Sequence, residues 1–119
     1  MNIDELAKKI RSVSDEEQVQ KLADLLIEWK SDHQTTEDLN DTIERYIGNS
    51  WFEKDEEHSK IYKMWSSFRD KAILGIGGMT MNERLYWFGL FDEFDACQNQ
   101  ESKLKIYTKL MASPYRDRE

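Results

Sequence analysis

Proline and cysteine are almost missing from this 119-residue chain, which holds one of each, Pro114 and Cys97. A lone cysteine closes no intrachain disulfide and builds no cysteine-based zinc site. Small secreted domains commonly depend on disulfides, so the sequence points to a reducing compartment, with the cytoplasm as the expected location. The opening residues, Met1-Asn-Ile-Asp-Glu-Leu-Ala-Lys-Lys-Ile10, break every apolar run with a charge and do not read as a signal peptide. No stretch approaches the ~18 consecutive apolar residues of a membrane span. Strand-like alternation is absent too.

Aromatic residues, by contrast, are plentiful: four Trp, five Tyr and five Phe. They supply a core large enough for one domain spanning residues 1–119, with no second domain expected. The net charge is −7 and unevenly spread. Residues 1–60 carry 16 Asp/Glu against 8 Lys/Arg, whereas residues 61–119 carry 8 against 9. An acidic surface repels nucleic acid and anionic lipid and steers towards basic proteins, so direct nucleic-acid or membrane binding is not expected.

Apolar residues recur with helical spacing behind helix-start signals. Ile3, Leu6, Ala7, Ile10 and Val13 form a first stripe. Ser14-Asp-Glu-Glu17 reads as a capping box opening a second helix, with Val19, Leu22, Ala23, Leu26 and Trp29 inward. Thr35 or Thr36 caps a third, facing inward through Leu39, Ile43, Tyr46 and Ile47, with Gly48 at the position of a left-handed C-terminal cap. Ser50-Trp-Phe-Glu53 reads as another capping box, opening the longest helix, to about Leu74, with Ile61, Met64, Trp65, Phe68 and Ala72 inward and Phe52 on the same face near its start. Thr80-Met-Asn-Glu83 caps a fifth helix running through Phe94, apolar on nearly every side and therefore expected at the centre of the fold. Gly89 within it implies close approach by a neighbour. Asn99 caps the last helix, with Leu104, Ile106, Tyr107, Leu110 and Met111 inward and Pro114 as its stop. The expected fold is all-α: one compact bundle of about six helices.

Chemistry-bearing groups are sparse. His33 falls in a loop, and His58 in the acidic first turns of the fourth helix, where a solvated helix residue is the plainer reading. Neither stands at a catalytic spacing from Ser, Cys or a second His. Cys97 has no Lys, Arg or His within its own turn to lower its pKa. Gly75-Ile-Gly-Gly78 lacks a preceding strand and the Lys-Ser/Thr of a phosphate loop, and reads as a helix end. Asp92-Glu-Phe-Asp95 lacks the spacing of a calcium loop. No catalytic residue, cofactor or metal is expected, and the chain does not read as an enzyme.

The candidate partner-binding residues are acidic, with one aromatic among them. Glu37, Asp38, Asp41 and Glu44 line the outer face of the third helix, where like charges three and four apart repel. Glu53, Asp55 and Glu56, with Glu57 beside them, cluster at the start of the fourth. Acids in first turns also complement the helix dipole and aid solubility, which accounts for part of the clustering. Trp51 lies between the two groups, either as an anchor ringed by acids or as a core residue under the loop.

At Gly78-Met-Thr-Met-Asn-Glu-Arg-Leu-Tyr-Trp-Phe-Gly-Leu-Phe-Asp-Glu-Phe-Asp95 the chain resembles a stretch found in small bacterial immunity proteins, including those of contact-dependent growth inhibition systems. That resemblance covers about one-sixth of the chain and falls on helix-core and capping positions. It implies an immunity protein that neutralises a cognate toxin, with a basic nuclease domain as the expected partner. Separately, a monomer or weak dimer is the expected state. The alternative from another class is an acidic regulatory or adaptor protein, or a DNA mimic, acting on a host protein.

Overall fold

A computed structural model describes residues 1–112, and among them there are seven α-helices and no strand. They are α1 (Ile3–Arg11), α2 (Glu17–Trp29), α3 (Thr36–Asn49), α4 (Asp55–Phe68), α5 (Met81–Trp87), α6 (Phe91–Asp95) and α7 (Gln100–Lys109). A π-helical turn, Arg69–Ile73, prolongs α4, and a 3₁₀ turn, Ile76–Gly78, leads to α5. The all-α bundle expected from the stripes is the observed architecture. Pro114 lies outside the described residues.

The core is made from the stripes. Ile3, Leu6, Ala7 and Ile10 of α1 pack against Val19, Leu22, Ala23, Leu26 and Trp29 of α2, and α1 also meets α4. Leu39, Ile43 and Ile47 of α3 close the other side of α2, while Ile61, Trp65 and Phe68 of α4 complete the interior. Full burial of each such side chain contributes about 1.5–3 kcal/mol relative to exposure, so the stripes rather than helix propensity hold these elements in place. Asn2, Thr35 and Thr80 each form a reciprocal capping box, with Glu5, Asp38 and Glu83, and the Asn99 side chain accepts from the Ser102 amide.

Two expected capping boxes do not form. Ser14 Oγ accepts from the Glu16 amide, so α2 begins at Glu17 with no side-chain cap. Gln20 instead ties the turn down, donating to the carbonyls of Arg11 and Ser14. The Ser50 box fails because Glu53 N–H, the group that Ser50 should cap, donates to Glu16 Oε1 at 3.2 Å. Ser50 Oγ donates backwards to the Tyr46 carbonyl, and α4 starts four residues later than the box implies. That same bond satisfies an end carbonyl of α3, so Gly48 stays right-handed and the helix runs on to Asn49.

The expected central helix is broken at Gly89, although Leu85, Phe88 and Leu90 around the break are buried in the core. Gly89 has φ +60, and the amides of Gly89 and Leu90 donate to the carbonyls of Tyr86 and Leu85, the paired bonds of a Schellman turn. The chain reverses there, giving the short helix α6, which buries no residue. Close approach at Gly89 does occur, but from the Asp4 and Lys30 side chains, where an added Cβ would overlap the Asp4 carboxylate. Gly75 is required for a related reason, since a Cβ there would stand 2.7 Å from the Lys71 carbonyl oxygen. In α7 the face differs by part of a turn from expectation: Leu104 and Met111 are exposed, while Lys109 is buried beside Leu110.

Candidate partner-binding surface

The eight candidate residues do not form one patch. Glu37, Asp38 and Asp41 belong to the first turns of α3, while Trp51, Glu53, Asp55 and Glu56 lie beyond its C-terminus. A helix of 14 residues separates the groups by about 20 Å at 1.5 Å per residue.

Two of the eight have intramolecular partners for their side chains. Asp38 Oδ2 accepts from the Thr35 amide at 3.0 Å within the capping box. Glu44 is paired with Arg69 and accepts from the Tyr62 hydroxyl at 3.2 Å, and Arg69 also donates to that hydroxyl. The Glu44 carboxylate, followed by the Tyr62 hydroxyl, raises the Arg69 pKa further above its already high value. Glu44 therefore braces α3 against α4 and the π turn.

The loop between α3 and α4 is held from below. Phe52 is buried and its ring lies 5.0 Å from that of His58, whose Nε2 is 3.4 Å from the Ile47 carbonyl oxygen. Gln18 Nε2 donates to the Trp51 carbonyl at 2.7 Å, and Tyr46 OH donates to the Gln18 carbonyl at 2.8 Å. Burial raises the Tyr46 pKa against the lowering effect of Ser50, and Glu17 raises it further. With Phe52 turned inward, its neighbour in the chain projects outward: Trp51 is 71% exposed, the most exposed of the large apolar side chains among the described residues.

Glu53, Asp55 and Glu56 are exposed beside it, with Lys54 pairing with Glu57 at 3.8 Å. The fold adds carboxylates absent from the sequence reading. Because Glu16 and Gln18 bond the loop, the acidic start of α2, with exposed Asp15 and Glu17, is brought to the same region. Those residues are more than 30 positions distant in the chain, and no local pattern signals the pairing. The result is an aromatic side chain held above a fixed backbone, amid carboxylates from two helix starts.

At the other end of α3, a groove of about 400 Å³ runs beside Glu37 and Asp41. A cleft of about 520 Å³ between the α2–α3 loop and α7 is a poor place for chemistry: it includes His33, Ser31 and Ser102, yet no hydrogen bond joins His33 to a hydroxyl among the described residues. Cys97 is half-buried and its thiol donates to the Glu93 carbonyl at 3.3 Å. Among the described residues no three His, Cys, Asp or Glu side chains are grouped to hold a metal ion, and no helix is long and apolar enough to cross a membrane. Searches for similar proteins find no match among family models, curated proteins or solved structures.

Proposed function

We propose that this protein is an immunity protein: a stoichiometric inhibitor that binds a basic toxin domain, such as a nuclease, and occludes it. The observation that carries the reading is Trp51, 71% exposed on a loop whose backbone is pinned by Gln18 and Glu16. Large apolar side chains are costly to leave in water, and a rigid aromatic anchor loses little entropy on docking. The surrounding carboxylates would steer a cationic partner and pair with its Lys and Arg at the rim. The resemblance of residues 78–95 to immunity proteins is the second support, and it bears on the class of protein rather than on the location of the face.

The test is complex formation with the protein encoded immediately upstream, at low and at physiological salt. A tight complex that weakens as salt rises is expected. Trp51→Ala should lower affinity about 30-fold or more, the loss typical of a hot-spot aromatic. Glu53→Lys with Glu56→Lys should slow association and flatten its salt dependence. Absence of any complex at low salt sinks the reading, and full affinity in both variants places contact on another face.

A further inference from the structure

We propose that the groove at the N-terminal end of α3 is a binding site for an arginine side chain of a partner protein. One wall is Thr36, Glu37, Asn40 and Asp41, and the other includes Ile76, Leu74 and Met111. Glu37 and Asp41 stand four residues apart on α3, both exposed, so their carboxylates share one face. Thr36 is 0% exposed and its hydroxyl has no hydrogen-bond partner among the described residues; Asn40 Oδ1 is buried without one among them as well. An unsatisfied buried polar atom is costly, and two beside one groove indicate that something else satisfies them. The two carboxylates, the amide oxygen and the hydroxyl all accept hydrogen bonds. A planar guanidinium, with five N–H donors in a fork, matches that set better than a point-charged ammonium.

The opposite wall suits the stem of the same residue. Leu74 is 66% and Met111 43% exposed, and the methylenes of arginine cover apolar surface while its head stays polar. This wall is held in place at a conformational cost. Met111 has φ 57, and the amides of Met111 and Ala112 donate to the Thr108 and Tyr107 carbonyls in a Schellman turn whose left-handed position glycine would fill without strain. Arg84, buried at 4% exposure, donates to the Ile76 and Met111 carbonyls at 2.9 and 3.1 Å, locking the two turns together. Strain of this kind persists where the surroundings impose it, and here it puts a flexible apolar side chain on the rim of an acceptor-rich groove.

The experiment is an amide-resolved NMR titration of the full chain with acetyl-Gly-Arg-Gly-amide, and with the same peptide carrying lysine, citrulline or norleucine. Saturable shifts are expected at Thr36, Glu37, Asn40, Asp41, Leu74 and Met111. The arginine peptide should bind about threefold tighter than lysine and about tenfold tighter than citrulline or norleucine, the discrimination due to a bidentate charged contact. Asp41→Asn should weaken it about fivefold, as loss of one charge-assisted bond requires. Met111→Gly keeps the left-handed turn and should weaken binding without lowering Tm. Equal shifts at Glu53 and Asp55 would mean unspecific charge attraction and overturn the assignment, as would equal binding of the norleucine peptide. The double variant Arg116→Ala/Arg118→Ala separates sources: tenfold tighter peptide binding would mean that the chain's own arginines compete for the groove, overturning a partner as occupant. Trp51→Ala should leave the titration unchanged, so this site stands or falls apart from the Trp51 face.

Discussion

The Lys109 ammonium lies 4.0 Å from the centroid of the Trp29 ring and donates to three oxygens: the Asp32 carboxylate and the carbonyls of Asp32 and Gln34, at 2.8, 2.9 and 2.9 Å. The Trp29 indole N–H in turn donates to the Thr35 carbonyl at 3.0 Å. These two residues join α7 to the α2–α3 loop. Lys109→Ala should destabilise the protein by about 3 kcal/mol in urea denaturation, since it removes a cation–π contact and an ion pair and strands the carbonyls of Asp32 and Gln34. Lys109→Met, which keeps the stem, should cost less.

Gly89→Ala should cost about 2 kcal/mol or more. It places a Cβ at φ +60 and drives it into the Asp4 carboxylate, which pairs with Lys30 at 2.9 Å. Thermal denaturation of Gly89→Ala beside Lys30→Met separates the strain from loss of the ion pair.

Alkaline stability has two opposing contributions. Burial raises the Tyr46 pKa above 10.0, so the folded state holds this proton more tightly, and the stability Tyr46 contributes is lost as pH rises from 10.0 through its folded pKa. Burial, opposed by Asp32, lowers the Lys109 pKa below 10.5. The unfolded state therefore binds that proton more tightly, and stability from this group grows as pH rises towards 10.5. Tyr46→Phe should remove the loss above pH 10 and leave the Lys109 rise, visible as a difference between the two denaturation profiles across that range.

Trp51→Ala should leave stability within about 0.5 kcal/mol of the parent, as expected for a side chain 71% exposed. Thermal melting checks this, and a large drop in Tm would show that the indole serves the fold rather than a partner.

Thr36→Val should be neutral or stabilising by about 1 kcal/mol, because it replaces a buried hydroxyl that has no partner among the described residues with a methyl of similar shape. The same variant should weaken the arginine peptide in the titration. A loss of stability would mean that the hydroxyl already has a partner.

The helical class, the inward faces of α1 to α4 and three of the caps were legible because each depends on residues within a few positions of one another. Ile3, Leu6 and Ile10, or Val19, Leu22 and Leu26, share a face by the geometry of the helix alone. The misread starts at Ser14 and Ser50 have a different origin: Gln20 and Glu16 supply the competing hydrogen bonds, and Glu16 lies 37 residues before the amide that it takes. The run from Leu85 to Phe94 looked central because nearly every residue is apolar, but hydrophobicity alone does not reveal a left-handed turn at Gly89.

The same division holds at the candidate surface. Local sequence determined that the first half of the chain is acidic and that Trp51 stands beside a carboxylate cluster. Tertiary structure decided that Trp51 turns outward, that Arg69 engages Glu44, and that Glu37 and Asp41 face Leu74 and Met111 across a groove. Each of these depends on which distant backbone atoms and side chains meet, and spacing along one helix carries no information about what lies across from it.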